Sequence, residues 1–245
     1  MPPDDYFGPG IADHYDEFEA RMFDPAVVDP AVDLLAELAG GRPVLELGIG
    51  TGRIALPLAG RGVPVHGIDL SDAMTARLRE KPGSENIGTT IGDFAATTVE
   101  GEFSVVYLVF NTIMNLTSAE QQIACFRNAA GHLLTGGCFV IEVSIPDLRR
   151  LPPGETIRPF TVQPDRLGFD EYDVASQRLT SHHYTIEEGK LRAFSMPFRY
   201  VWPAELDLMA RLAGMQLRER WGDWDRTLFT SDSAKHVSVW ETPAA

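Results

Sequence analysis

Short apolar runs alternate with helical patterns through the first 145 residues. The runs at 43–47, 63–69, 103–109 and 138–143 are largely apolar, as buried strands are, and 86–93 continues the series. Capping residues and apolar spacing predict helices over 25–39, 71–79 and 117–134. This order of strands and helices predicts an α/β domain built on a largely parallel sheet.

The pattern changes after residue 145. Residues 146–164 are rich in proline, which predicts a loop. Partial alternation of apolar and polar residues over 168–174, 176–187 and 190–201 then predicts antiparallel strands. A helix over 203–213 and two strands over 215–221 and 235–241 follow. An inserted sheet at this point can form the roof of a substrate pocket.

The turn after the first strand is the best candidate for ligand binding. It carries Gly48, Gly50 and Gly52, and glycine leaves the backbone bare beside a ligand. The dinucleotide fingerprint G-x-G-x-x-G would need a further glycine where this chain has Arg53, which disfavours a nicotinamide cofactor. The second strand ends at Asp69, where an acid is the expected partner of ribose hydroxyls.

Composition narrows the choice of partner. The 245 residues carry a formal net charge of −14, which argues against nucleic acids and acidic membranes. The N-terminus has neither a basic stretch nor an apolar segment, and no run of apolar residues is long enough to span a membrane, so we expect a cytoplasmic protein. Cys125 and Cys138 show no metal-ligand spacing, and no metal is predicted.

Five segments in this order resemble the motifs of class I S-adenosylmethionine-dependent methyltransferases. They read ELGIGTG at 46–52, GIDLS at 67–71, IGDF at 91–94, FSVVYLVFN at 103–111 and LLTGGCFVIE at 133–142. The resemblance covers roughly residues 30–145. It implies a Rossmann-like, doubly wound seven-stranded sheet with a reversed last hairpin, here with an antiparallel sheet inserted after strand 5.

The resemblance also implies a cofactor site for S-adenosylmethionine, whose product is S-adenosylhomocysteine. An acid at Asp93 would accept the adenine amino group, and an N-terminal lid helix carrying Tyr15-Asp16 would cover the methionine end. The cofactor-binding residues that we expect are Tyr15, Glu46, Gly48, Gly50, Gly52, Arg53, Asp69, Leu70, Asp93, Phe94, Phe110 and Asn111.

Candidate acceptor and catalytic residues lie at strand ends, in the inserted sheet and in the lid. Glu142 stands out as a carboxylate within an apolar strand, where it can shape the site or accept a proton. The substrate-binding candidates are Tyr6, Asn115, His183, Tyr184, Arg199, Tyr200 and Trp202, and the catalytic candidates are Tyr15, His182 and Glu142.

The chain is thus expected to divide into four parts: a lid (1–25), the cofactor-binding core (26–145), the inserted sheet (146–201) and a C-terminal helix and hairpin (202–245). We expect methylation of nitrogen, or of oxygen, in a small-molecule natural product, because the layout looks like that of antibiotic-sugar and lincosamide N-methyltransferases. A nicotinamide-dependent oxidoreductase and a cofactor-binding regulator without turnover are the alternatives, and a homodimer is left open.

Overall fold

The computed structural model describes residues 7–187 and 189–243. The strands are β1 Val44–Leu47, β2 Val65–Asp69, β3 Ile87–Ile91, β4 Phe103–Leu108, β5 Leu133–Ser144, β6 Ile157–Val162, β7 Arg166–Asp173, β8 Arg178–Glu187, β9 Lys190–Arg199, β10 Gln216–Trp221 and β11 Lys235–Glu241. The helices are α1 Pro9–Ala12, α2 Tyr15–Phe18, α3 Pro25–Ala39, α4 Ala55–Gly60, α5 Asp72–Arg79, α6 Ala119–His132 and α7 Pro203–Leu212. Short 3-10 turns lie at Ala20–Phe23, Ser84–Asn86, Thr112–Asn115 and Leu148–Arg150.

A seven-stranded sheet with the order β10-β11-β5-β4-β1-β2-β3 forms the centre of the molecule. Strands β1 to β5 pair in parallel, whereas β11 is antiparallel to both β5 and β10. Every residue of β1 and β4 is buried, because apolar clusters cover both faces of a sheet of this kind. The predicted reversal of the last hairpin is confirmed.

The long helices begin and end where their capping residues predict. The side chain of Asp24 accepts a hydrogen bond from the backbone N–H of Ala26 (2.9 Å), and Gly40 ends α3 in the left-handed conformation. Ser118 and Gln121 form a reciprocal capping box at the start of α6. Among the described residues, no helix is long and apolar enough to cross a bilayer.

The inserted segment forms a separate antiparallel sheet with the order β6-β7-β8-β9. The antiparallel sheet was predicted, but its edge strand β6 was not, because it lies in the proline-rich stretch; proline is tolerated at a sheet edge. Its register pairs Asp170 with Ser181 and Phe169 with His182, so these two pairs project from opposite faces. The buried side chains of Tyr172, Leu179 and Met196 join the core on the first of these faces. We call this the inner face.

The inserted sheet is attached to the layer of α6 and α7. One apolar cluster contains both Tyr172 of β7 and the aromatic group of Phe126 and Trp240, whose ring centroids lie 5.3 Å apart. The opposite side of the central sheet is covered by α3 and α4. The inserted sheet therefore has a fixed position above the carboxyl ends of β4 and β5.

The N-terminal segment differs from the single lid helix that the family resemblance implies. It forms α1, α2 and a 3-10 turn, each four residues long, and no side chain caps any of them. Phe18 is 67% exposed. Such short helices are not stable by themselves, so contacts with the core determine their arrangement.

Arg199 allows the attachment of the inserted sheet to α6 and α7 to be tested. Its guanidinium donates to Gln122 Oε1 (2.5 Å) and Glu205 Oε1 (2.6 Å), linking the end of β9 to α6 and α7. Arg199→Met should lower the free energy of unfolding by about 2–3 kcal/mol, because it leaves part-buried polar partners unpaired. Urea denaturation measures the change. Arg218→Met, in an exposed pair with Glu219, should cost less than about 1 kcal/mol; equal losses would contradict a structural role for Arg199.

Candidate functional site

The glycine turn connects β1 to α4 and faces a pocket. Gly48 and Gly50 adopt φ values of 76° and 54°, which favour glycine. A Cβ on Gly48 would lie 2.8 Å from Thr112 Cγ2, so the turn is packed tightly against the segment after β4. A Cβ on Gly50 would meet only Met74 Cε, at 3.6 Å. The backbone at Gly50 is therefore open to a ligand.

Asp69 connects the glycine turn to the end of β2. Its Oδ2 accepts the backbone N–H of Gly50 (2.7 Å), and its Oδ1 accepts that of Ser71 (2.8 Å). Burial raises the pKa of Asp69, although these hydrogen bonds oppose the shift. A carboxylate offers about four acceptor positions. Asp69 can therefore support the turn and still accept hydrogen bonds from ribose hydroxyls.

Of the twelve residues around this glycine-turn pocket, seven were predicted to bind the cofactor and Asn115 to bind the acceptor. Four were missed, because only tertiary contacts bring Phe7, Met74, Thr112 and Leu116 to the pocket. The pocket is lined by Phe7, Tyr15, Gly48, Gly50, Asp69, Leu70, Met74, Asp93, Phe94, Thr112, Asn115 and Leu116. Asn115 Oδ1 is buried without a hydrogen-bond partner in the described structure, which indicates a place for a ligand donor.

The N-terminal segment is held over the glycine turn by hydrogen bonds. Thr51 Oγ1 donates to Asp16 Oδ1 (2.6 Å), and Lys81 forms an ion pair with the same carboxylate. Ser71 Oγ donates to the backbone carbonyl of Phe7 (2.6 Å). These bonds place Tyr15 in the pocket wall. The two residues of the Tyr15-Asp16 pair therefore have different roles: Tyr15 lines the pocket, and the carboxylate of Asp16 holds the segment in place.

Glu46 lies in the core beneath the glycine turn and not in the pocket wall. It is 3% exposed, and its Oε2 accepts a hydrogen bond from the hydroxyl of Tyr107 (2.9 Å). Burial raises the pKa of Glu46 to about 8, although Tyr107 and Arg53 oppose the shift. At neutral pH this side chain is therefore mainly a neutral acid that supports the turn from below.

Three further residues that were predicted to bind the cofactor, Gly52, Arg53 and Phe110, do not line the pocket. A Cβ on Gly52 would lie 2.3 Å from Leu78 Cδ1, so this glycine permits close packing on α5. The guanidinium of Arg53 lies 5.0 Å from the ring centroid of Phe110 and donates to the carbonyl of Met22 (3.4 Å). Arg53 and Phe110 therefore connect the glycine turn to the end of β4.

The chain adopts an unfavourable conformation where β4 ends. Phe110 and Asn111 have φ values of 57° and 62°, and a left-handed residue other than glycine costs roughly 1–2 kcal/mol. Three bonds from β5 hold them: Phe110 N–H to Glu142 Oε2 (3.2 Å), Asn111 N–H to the Glu142 carbonyl (3.3 Å), and Ser144 N–H to Asn111 Oδ1 (2.7 Å). This turn begins the wall of the glycine-turn pocket.

Glu142 forms an ion pair with Lys235. Its Oε1 accepts from Lys235 Nζ (3.0 Å), and Lys235 also lies 2.7 Å from Asp223 Oδ1. Burial by itself would lower the pKa of Lys235, but Glu142 and Asp223 raise it. The lysine is therefore a stable counter-charge on β11.

A cavity of about 460 Å³ lies between the carboxyl ends of β4 and β5 and the inner face of the inserted sheet. We call it the roof cavity. Its volume is in the range of small-molecule sites. It is lined by Asn111, Met114, Ser144, Ile145, Pro146, Asp147, Arg149, Arg150, Arg158, Asp170, Tyr172, Leu179, Tyr200, Asp232, Ser233 and Ala234. Asn111 and Met114 belong to the segment that also carries the wall of the glycine-turn pocket.

The roof cavity contains one acid that differs from its neighbours. Asp147 forms an ion pair with Arg158 (2.6 Å). Asp170 has no lysine or arginine nitrogen within ion-pair distance in the part of the chain that the structure describes. Burial raises its pKa, although its hydrogen bond to Ser181 and the charge of Arg158, its neighbour on β6, oppose the shift. Because side chains alternate along a strand, the sequence places Asp170 and Tyr172 on the same face of β7. It does not show that this face points toward the central sheet.

The predicted acceptor residues are dispersed. Tyr200 lines the roof cavity, whereas Asn115 lines the glycine-turn pocket. Arg199 is engaged by Glu205 and Gln122 and is absent from both linings. Trp202 precedes α7 with its ring 6.3 Å from that of Tyr200. Tyr6 lies outside the described residues.

The residues predicted on β8 are absent from both linings. His182 and Tyr184 share the outer face, where His182 bonds Ser195 Oγ (2.7 Å) and Glu171 (3.3 Å). His183, on the inner face, stacks on Phe194 at 4.6 Å. Alternation along the strand was predicted correctly, but not the direction of each face. The geometry therefore does not support His182 as a group near the transferred methyl.

No cluster of three or more His, Cys, Asp and Glu side chains able to hold a metal ion occurs among residues 7–187 and 189–243. The two cysteines are buried and free, and burial raises the pKa of Cys138 to about 11. Burial also raises the pKa of Cys125. Neither thiol is activated as a nucleophile.

Fold and pocket define a Rossmann-type nucleotide-binding protein, and comparisons with known proteins specify its family. A protein-family sequence model described as "Methyltransferase domain" matches residues 44–137. The CcbJ methyltransferase of Streptomyces caelestis is 39% identical, with a TM-score of 0.87 over 99% of this chain and 100% of that one. The chain belongs to the class I S-adenosylmethionine-dependent methyltransferases.

Two further relatives extend the comparison. The cypemycin N-terminal methyltransferase of a Streptomyces species is 28% identical over 237 residues, which cover 93% of this chain and 97% of that protein. The S-adenosylmethionine-bound structure of CalS10, an amino pentose methyltransferase from Micromonospora echinaspora, has a TM-score of 0.65 at 20% identity, over 87% of this chain and 90% of that one. The likeness to CalS10 is one of fold.

The glycine-turn pocket fits S-adenosylmethionine on its own chemistry. Asn115 Oδ1 needs a donor, and the amino groups and ribose hydroxyls of this molecule are donors. Asp69 has acceptor positions beyond its two backbone bonds, and the backbone at Gly50 is open. These features complement a polar nucleoside.

Glu46 gives this site a testable pH dependence. Because folding raises its pKa from 4.5 to about 8, the folded protein retains a proton that the unfolded chain loses, so the contribution of Glu46 to stability declines as the pH rises from about 4.5 to 8. Glu46→Gln keeps an acceptor for Tyr107 but cannot titrate. Relative to wild type, the variant should become more stable between pH 5 and pH 8 in urea denaturation. A stability difference that does not change with pH would show that Glu46 is not buried as a neutral acid.

Proposed function

We propose that this methyltransferase methylates an amine nitrogen of a small natural product. The observation that carries the proposal is the adjacency of the glycine-turn pocket and the roof cavity, which share the segment 111–116 as a wall. The names of the cypemycin N-terminal and amino pentose methyltransferases support nitrogen as the acceptor atom. Oxygen is the second candidate, because Asp170, Tyr172 and Tyr200 can also bind hydroxyl groups.

The residues of this chain contribute mainly by placement. When bound, S-adenosylmethionine supplies an electrophilic methyl group on a sulfonium sulfur. The acceptor nitrogen forms the new N–C bond with its lone pair while the S–C bond breaks, and it releases its proton before or after transfer. Alignment of two reactants can supply about 7–11 kcal/mol. We assign this alignment to Tyr15 above the pocket and Asn111 at its border with the roof cavity.

In the proposal, the cofactor contacts are distributed along the strand ends. Asp69 accepts the ribose hydroxyls, Asp93 accepts the adenine amino group, and Leu70 and Phe94 enclose the ring. Gly48 and Gly50 present backbone to the methionine portion, and Glu46, Gly52 and Arg53 support the turn.

The roof cavity would hold the acceptor with its charge against Asp170. A protonated amine needs an acceptor of opposite charge when it leaves water, and Asp170 is half-buried without an ion-pair partner among the described residues. Tyr172 and Tyr200 add hydroxyl groups, while Met114 and Leu179 add apolar surface. This combination suits an aminated ring compound.

An acceptor held at Asp170 as an ammonium ion must lose its proton before its lone pair can attack; the proton passes to water, so no dedicated general base is assigned. Of the three catalytic candidates, Tyr15 lines the glycine-turn pocket, and we retain it as the residue nearest the reaction. His182, on the outer face, and Glu142, bonded through both oxygens, are not assigned to proton transfer. The cytoplasmic location and the homodimer remain predictions.

Parallel calorimetric titrations with S-adenosylmethionine, S-adenosylhomocysteine and NAD test the cofactor. We expect binding of the first two and not of NAD. Binding of NAD alone would restore the oxidoreductase alternative. A screen of small amines with radiolabelled cofactor then tests turnover, since tight cofactor binding without methyl release to any acceptor would favour the regulatory alternative.

Asp69→Ala should weaken binding of S-adenosylmethionine by about 10- to 100-fold, because it removes a charged acceptor and releases the N–H of Gly50. Calorimetry measures the dissociation constant. Asp72→Ala, on the exposed start of α5, is the matched control and should bind normally. Unchanged affinity in Asp69→Ala would exclude the ribose assignment.

Asp170→Asn should raise KM for a protonated amine acceptor by about tenfold, with a smaller change in kcat, because the charge binds the acceptor and not the transferred methyl. Steady-state kinetics with the amine found in the screen measures both constants. Asp165→Asn, at the exposed turn before β7, should change neither. An unchanged KM in Asp170→Asn would place the acceptor elsewhere.

A further inference from the structure

Both carboxylate oxygens of Glu142 accept hydrogen bonds. Oε2 accepts the backbone N–H of Phe110 at 3.2 Å, and Oε1 accepts Lys235 Nζ at 3.0 Å. The side chain is 13% exposed, so little water competes for these bonds. The carboxylate thus joins two elements, the end of β4 and the start of β11, from its position on β5.

The bond to Phe110 acts on a backbone conformation that needs external support. Phe110 and Asn111 are consecutive left-handed residues, and Asn111 receives a second set of bonds from the same strand. Without these partners the segment would relax toward negative φ. The carboxylate of Glu142 therefore selects the conformation in which the chain leaves β4.

The segment that follows contributes to both cavities. Thr112, Asn115 and Leu116 line the glycine-turn pocket, while Asn111 and Met114 line the roof cavity. A shift of the turn at Phe110 would move both walls together. Because methyl transfer depends on the alignment of the two reactants, such a shift would affect catalysis without removing a reacting group.

We propose that Glu142 is a positioning residue: paired with Lys235, its carboxylate clamps the Phe110–Asn111 turn and so sets the wall between cofactor and acceptor. Lys235 orients the carboxylate through their ion pair at 3.0 Å, and Asp223 holds Lys235 from the other side at 2.7 Å. The proposal rests on the proposed function only for its effect on turnover, since the clamp itself is a property of the fold.

Three substitutions in the full-length protein separate the parts of the clamp. Glu142→Ala removes both bonds, Glu142→Gln keeps an acceptor for Phe110 but loses the charge, and Lys235→Met removes only the counter-charge. Amide hydrogen exchange measured by NMR at Phe110 and Asn111 reports on the turn directly. We expect exchange about tenfold faster in Glu142→Ala and a smaller increase in both Lys235→Met and Glu142→Gln, because the glutamine has one acceptor oxygen for two donors.

Calorimetry with S-adenosylmethionine provides the second readout. The affinity of Glu142→Ala should fall by about fivefold as its wall residues shift, whereas Glu142→Gln should bind nearly as wild type. Glu219→Gln, an exposed acid on β10, is the control and should change neither readout. If wild type fails to bind S-adenosylmethionine, the proposed function fails, but the exchange data still test the clamp.

Two results would overturn the proposal. Phe110 and Asn111 amides as protected in Glu142→Ala as in wild type would show that the carboxylate does not hold the turn. The other is a Glu142→Gln variant whose exchange changes less than that of Glu142→Ala but whose turnover falls as far, with the acidic limb of the pH–rate profile lost from its residual activity. That pattern would identify a proton acceptor and not a positioning residue.

Discussion

The hydrogen bond from Gly50 N–H to the carboxylate of Asp69 joins the two elements on which the site depends. The glycine turn has left-handed backbone at Gly48 and Gly50, and the N–H of Gly50 needs an acceptor from the neighbouring strand. Asp69 provides that acceptor because β1 and β2 pair in parallel, which brings the end of β2 beside the turn. The same carboxylate faces the pocket, so the support of the loop and the proposed recognition of ribose coincide in one side chain.

A second constraint lies at the end of β4. The chain leaves this strand through two left-handed residues and then forms a wall whose two sides face different cavities. Such a conformation persists only where neighbouring groups hold it. Here β5 supplies backbone and side-chain partners, and β11 supplies the counter-charge to Glu142. The reversed strand β11 therefore contributes to the site as well as completing the sheet.

The N-terminal segment and the inserted sheet enclose the strand ends from opposite directions. The first is held to the glycine turn by Asp16, and the second is held to α6 and α7 by Arg199 and the aromatic core. Both attachments include polar contacts between elements distant in sequence. This arrangement leaves a nucleoside pocket and a larger mixed-polarity cavity on the two sides of one short segment.

The sequence by itself determined the class of fold, the order of strands and the pocket at the glycine turn. Local patterns were sufficient for these features, because strand periodicity, helix caps and glycine spacing act within a few residues. Asp69 was predicted from its place at the end of the second strand, and Asp93 and Tyr15 from the family resemblance; all three line the same pocket. Only the tertiary structure decided which face of β8 turns inward, that Arg199 is a structural link, and that Glu142 bonds Phe110 and Lys235. These depend on side chains from distant segments meeting, and alternation along a strand indicates that two faces exist but not which neighbour each face will contact.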